Sequence, residues 1–158
     1  MSLLPMPMGS PDNSVGRQFV YMAMMIESVH LVKIGHTQNP VDREASLFTS
    51  GVQAPYFMLH AWEVEDMKWV EKQVIHPALA PFRTEYGKEI FHLFPMYPSL
   101  FDASLPDVIN AHVLAGQLAN DITELLQKRG ILARRWTLDN LDQYHEIFHA
   151  HKNANKGR

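Results

Sequence analysis

The 158-residue chain contains no cysteine, so it can build neither a disulfide framework nor a thiolate metal site. That suits a reducing compartment. No apolar run approaches the length of a bilayer span, and no basic stretch precedes the first apolar residues. Neither a membrane helix nor a secretory signal is expected, and the chain reads as cytoplasmic, or as acting in a host cell interior if viral. Also missing are an internal repeat, a glycine-rich phosphate loop, Gly-x-Ser-x-Gly and HExxH. These absences set aside P-loop nucleotide hydrolysis, serine esterase chemistry and zincin proteolysis. A large charge excess is lacking too: the net charge of −3 argues against indiscriminate nucleic-acid binding. The charge is unevenly spread, however. Residues 1–127 hold seven Lys/Arg and fourteen Asp/Glu, whereas residues 128–158 hold seven against three. An acidic body with a basic end is compatible with a polyanionic partner and equally with a solvated tail.

What is present describes an ordinary globular protein, 46% hydrophobic and 20% charged, long enough to bury one core. Residues 1–16 are rich in Pro, Ser and Gly without periodicity and are expected to be a mobile leader. The stretch from Gln18 to Glu44 organises the rest. Phe19 to Met22 and Leu31 to Ile34 are β-formers separated by residues able to close a hairpin. Asn39-Pro40 then opens a helix, with Asn as N-cap and Pro at the first helical position. On that helix Val41, Ala45 and Phe48 share a stripe and Arg43 points away from it, free for solvent or for a cleft; Gly51 is a natural stop. A third strand is expected in Tyr56 to Val64, giving a small mixed α/β sheet.

A second helix is expected over residues 65–76. At about 100° per residue, Met67, Val70, Val74 and Ala78 form one narrow stripe, and Glu71 falls inside it. A carboxylate facing a core costs several kcal/mol unless compensated by a cation, a hydrogen-bond network or a metal ion, with an ion pair the commonest solution. His76 lies roughly 140° from Glu71 on a regular helix, and Pro77 disfavours helical geometry just before it. Tyr86-Gly87-Lys88 reads as a turn and Glu89 to Leu93 as a short strand. Residues 95–103 form a proline-marked linker. Ser104 to Asp107 has a capping-box pattern that starts a helix running to Gly130, with Val108, Ala111, Ala115, Leu118, Ile122 and Leu125 on one stripe. Thr137 caps a final helix. His145, His149 and His151 on it suggest either a metal clasp or a polar face, the latter more ordinary.

Phe19-Val20-Tyr21, then, after eleven intervening residues, Lys33-Ile34-Gly35-His36-Thr37, resembles the paired motifs of the GIY-YIG nuclease superfamily. Val41-Asp42-Arg43 follows on the first helix, and Val70-Glu71-Lys72-Gln73-Val74-Ile75-His76-Pro77 on the second. Phe82-Arg83 and Gly87-Lys88-Glu89-Ile90-Phe91 complete the series. Together they look like the phage- and virus-associated branch with a KIGxT second motif, over about residues 18–94. The resemblance implies a small, mainly antiparallel three-stranded sheet flanked by helices in a catalytic domain at 17–94, with 95–158 a helical C-terminal extension. It implies DNA as partner and Mg²⁺ or Mn²⁺ as cofactor in phosphodiester hydrolysis. Tyr21 matches the tyrosine that activates or orients the attacking water, Arg43 the arginine on the scissile phosphate, and Glu71 the sole protein ligand of the metal. Gly35 matches the glycine of the second motif. His36, His76 and Arg83 are the candidate substrate contacts.

Two positions depart from the family pattern. Phe19 stands where glycine usually begins the first motif, and Lys33 where a second tyrosine is usual. Lys33 can act as an electrostatic clamp or, with its pKa lowered, as a general base; the clamp needs no large shift. Glu89 or Glu85 can take up the role of the family's late asparagine. The alternative function is a catalytically degenerate module that keeps the fold and binds nucleic acid or a protein.

Overall fold

The structure, a computed structural model, describes residues 17–25, 27–40 and 56–136. The leader, Arg43 with most of the first expected helix, and the final expected helix with its three histidines lie outside these residues. The β-forming runs become β1 (Phe19–Met25), β2 (Ser28–Thr37) and β3 (Tyr56–Val64). Two short strands join them, β4 (Ile90–His92) and β5 (Ala133–Trp136). The order is β4-β2-β1-β3-β5, every neighbouring pair antiparallel. The class is mixed α/β as expected, but the sheet has five strands rather than three. The β1–β2 connection is also tighter than the sequence suggests. Met24 pairs with Val32 and Met25 with Ser28 across an irregularity, because Met24, Val29 and Val32 all pack on the core.

β5 is hidden in the sequence by its two arginines, which break any apolar alternation. Register explains them. Arg134 pairs with Glu63 on β3 and its guanidinium lies 3.4 Å from that carboxylate, while Ala133 and Trp136 are buried. Residues 107–136, expected as part of a helical extension, thus give the sheet an edge strand and the core a helix.

The first described helix, α1, spans residues 67–79 and changes pitch twice. An α-turn (Met67–Trp69) runs into a π-helical segment (Val70–Ile75) and returns to α geometry (His76–Leu79). Asp66 caps its start by accepting from Trp69 N–H at 3.1 Å. The second, α2 (Asp107–Lys128), is regular. Its start is not the expected capping box. Ser104 instead donates to Asp102, and buried Asn110 exchanges hydrogen bonds with the Asp102 backbone, tying the linker to the helix. Val108 is therefore exposed, and the buried face runs through Ala111, Leu114, Ala115, Leu118, Ala119, Ile122 and Leu126. Gly130, at φ +69, ends the helix as expected: its N–H reaches Gln127 O and the Ile131 N–H reaches Leu126 O, a Schellman closure.

Val20, Met22, Val32, Ile34, Trp62 and Val64 face both helices across one core. Phe19, Tyr21, Ala23 and Ala61, on the other face by alternation, are buried as well.

Candidate active site on the second strand

Four successive residues of β2, Lys33 to His36, each receive a contact from a different part of the chain. Alternation puts Lys33 and Gly35 on the sheet face that carries Tyr21, and Ile34 and His36 on the face covered by α1.

Lys33 Nζ lies 3.1 Å from the Glu89 carboxylate, both side chains partly exposed. Glu89 is brought there because Ile34 N–H donates to its carbonyl at 2.8 Å, extending the β2–β4 ladder by one step. The carbonyl of Ile34 accepts from His76 Nε2–H at 3.1 Å. His76 is buried and its ring packs 5.3 Å from that of Phe91. Its imidazole therefore fixes the strand and is almost shut off from solvent.

Gly35 pairs with Tyr21. A Cβ at Gly35 would sit 2.5 Å from the Tyr21 hydroxyl and 2.7 Å from the ring carbon bearing it. Only a residue without a side chain lets the phenol lie across β2. Strand pairing with β4 ends at Lys33, so Gly35 to Thr37 form a sheet edge not paired by β4. At that edge the two faces come together, the phenol approaching from one side and α1 from the other.

His36 completes the set. Its Nδ1 lies 3.0 and 3.1 Å from the two oxygens of Glu71. The Glu71 side chain has no exposed surface, whereas 23% of the His36 side chain is exposed. With Glu71 ionised, Nδ1–H is the donor, and the imidazole supplies the compensation that a buried carboxylate requires. The helical wheel thus placed Glu71 correctly, on the buried stripe.

The change of pitch in α1 brings Glu71 and His76 to the same strand. On a regular helix they point well apart. In the π segment the hydrogen bond spans five residues, and His76 N–H does bond to Glu71 O. Pro77 gives the physical reason. It has no N–H for the α-type bond to Gln73, and its ring would collide with that carbonyl in a tight α-turn; widening the helix relieves both.

The expected residues thus fall into groups. Tyr21, Lys33, His36, Glu71 and His76 converge on residues 33–36, although Tyr21 and Lys33 belong to one sheet face and Glu71 to the other. Arg83 is exposed and its guanidinium lies 5.7 Å from the centre of the Phe91 ring, next to β4. Of the two candidate supporting carboxylates, Glu89 is the one that meets Lys33. The π segment was not foreseen, and Pro77 was its only signal. Among the described residues no group of three or more His, Asp or Glu side chains could hold a metal ion.

Neither a curated protein nor a solved structure matches the chain. Residues 18–101, which include β1 to β4 and α1, match the model of the T5orf172 domain. That match covers more than half of the chain, which belongs to the T5orf172 domain family, a phage-associated family of nuclease-like character.

Proposed function

We propose that the chain is a DNA endonuclease that hydrolyses phosphodiesters in the GIY-YIG manner, with Tyr21, Lys33, Arg43 and Glu71 as its catalytic groups. The observation that carries this reading is the convergence of a phenol, an ammonium and a buried carboxylate on four consecutive residues of one strand, at an edge not paired by β4. The nuclease-like character of the family supports it.

In this reading Tyr21, held flat across Gly35, orients the attacking water through its hydroxyl. Lys33 neutralises a non-bridging phosphate oxygen, and its partner Glu89 holds the ammonium in place. Arg43 adds a second, planar contact to the same phosphate. His36 holds the Glu71 carboxylate in place until substrate arrives, and His76 fixes the strand carrying Lys33 and His36.

The donor chemistry fits a hard divalent cation: Glu71 offers carboxylate oxygens, and Mg²⁺ is commonly held by one or two carboxylates with water and phosphate oxygens completing the shell. Because His36 engages both oxygens, the ion would replace the imidazole as the partner of Glu71. Bound there, Mg²⁺ or Mn²⁺ would supply Lewis-acid stabilisation of the leaving oxygen.

The zero exposure of Glu71 favours a second reading, in which the fold binds nucleic acid without cutting it. Nicking of supercoiled plasmid by the full chain with Mn²⁺ separates the two. The expected result is chelator-sensitive nicking that Glu71→Gln lowers by at least about 100-fold, the scale of losing a charge-stabilising group. Wild-type nicking by Glu71→Gln overturns the assignment of Glu71. Chelator-insensitive DNA binding without nicking at high protein concentration establishes the second reading.

A further inference from the structure

Next to this site the chain makes a tight loop, residues 84–89, whose last member is the Glu89 that holds Lys33. The loop is braced on both sides. Arg83 and Phe91 form a bridge across its base, Thr84 N–H donates to Ile90 O at 2.9 Å, and Ile90 N–H returns to Gly87 O. Inside it, the hydroxyl of buried Thr84 accepts from Tyr86 N–H at 3.2 Å. The side chain that this bracing presents is Tyr86, which is 69% exposed. Two cations flank it in sequence. Arg83 is held over the Phe91 ring, and Lys88 follows two residues after the tyrosine. Glu85 is the one carboxylate in the loop besides the Lys33-bound Glu89, so Arg83, Glu85 and Lys88 together leave an excess positive charge.

We infer that Tyr86 is a stacking platform for an unpaired nucleobase, and that the substrate class of the site is DNA carrying a single-stranded overhang or flap beside the scissile phosphate. This rests on the nuclease reading above and adds the form of DNA that it takes. A rigid, exposed aromatic ring offers a flat apolar face at small entropic cost, and every base has a π-face to match. Such a face is buried within a duplex stack and is available on an unpaired nucleotide. The cations on either side match the backbone phosphates of a strand laid over the ring. Because the loop ends on Glu89, the stacked nucleotide would lie beside the phosphate that Lys33 contacts. A structural role for Tyr86 would bury the ring; the loop turns it outward.

The test uses the full chain, in chelator so that nothing is cut, at one fixed low salt concentration. The probes are a blunt fluorescent duplex and the same duplex with a five-nucleotide single-stranded overhang carrying 2-aminopurine. Wild type should prefer the overhang and quench the 2-aminopurine. Tyr86→Ala should weaken overhang binding about tenfold and lose the quench, with blunt-duplex binding within about twofold of wild type and Tyr86→Phe close to wild type throughout. Arg83→Ala should weaken overhang binding more than blunt-duplex binding and leave the quench in place. Equal affinity of wild type for the two probes, or equal losses on both with Tyr86→Ala, overturns the inference. The two readings fail separately. Intact nicking without overhang preference removes the platform alone, and overhang preference without nicking removes the hydrolase alone.

Discussion

The two described helices bury polar groups in opposite ways. α1 changes pitch twice within residues 67–79, and its buried face carries a carboxylate and an imidazole. α2 keeps one pitch for 22 residues, and its buried face is apolar except for Asn110 at its first turn. Beneath α1, each buried polar group has a partner on β2: Glu71 meets His36, and His76 meets Ile34 O. On the β3–β5 side of the sheet, Trp62 donates to Thr123 of α2, but buried His60 Nδ1 has no hydrogen-bond partner among the described residues. His60 is instead pushed down to about 4, mainly by burial and further by the charge of Arg135. One seam holds polarity by pairing it, the other by keeping it neutral. Where a chain distorts a helix to bring polar groups together, packing alone is not the reason, and such π segments often mark functional sites.

That contrast can be broken at either seam. The larger expected effect is at His60. Its folded pKa is depressed, so the unfolded chain binds the proton more readily. The stability this contributes is complete above pH 6.5 and is lost as pH falls towards 4. Between pH 7 and pH 5 the loss should be about 2 kcal/mol. Urea denaturation at the two pH values measures it, and His60→Gln should remove most of the difference; an unchanged difference would mean that other groups carry it. The smaller effect tests α1. Pro77→Ala restores an N–H and removes the ring, so the helix can tighten to regular pitch and turn Glu71 away from His76. Nicking should fall roughly tenfold, about 1.4 kcal/mol, while helicity by circular dichroism does not decrease. Unchanged nicking would separate the π segment from the activity.

Much of this was legible in the sequence. The β-forming residues of Phe19 to Met22 and the alternation within Tyr56 to Val64 predicted strands, and the stripe of Met67, Val70 and Val74 correctly turned Glu71 inward. The Tyr21 and Lys33 motifs and Gly35 fell on paired strands as the resemblance implies. What stayed hidden depends on register and on partners far away in sequence. β5 exists because Arg134 finds Glu63 across the sheet, which no local pattern announces. Lys33 finds Glu89 only because β4 docks on β2. That Glu71 and His76 both reach β2 depends on a change of pitch, whereas the wheel assumed a constant 3.6 residues per turn.

The claim on which the rest depends is that residues 33–36 of β2 and Glu71 of α1 form one site for a scissile phosphate. A crystal structure of the chain with Mn²⁺ and an uncleavable phosphorothioate DNA tests it most directly. The account predicts an anomalous Mn²⁺ peak at the Glu71 carboxylate, His36 no longer bonded to it, and a backbone phosphate within reach of Lys33 and Tyr21. DNA seated on another surface, with the His36–Glu71 pair intact and no metal beside it, would contradict the account.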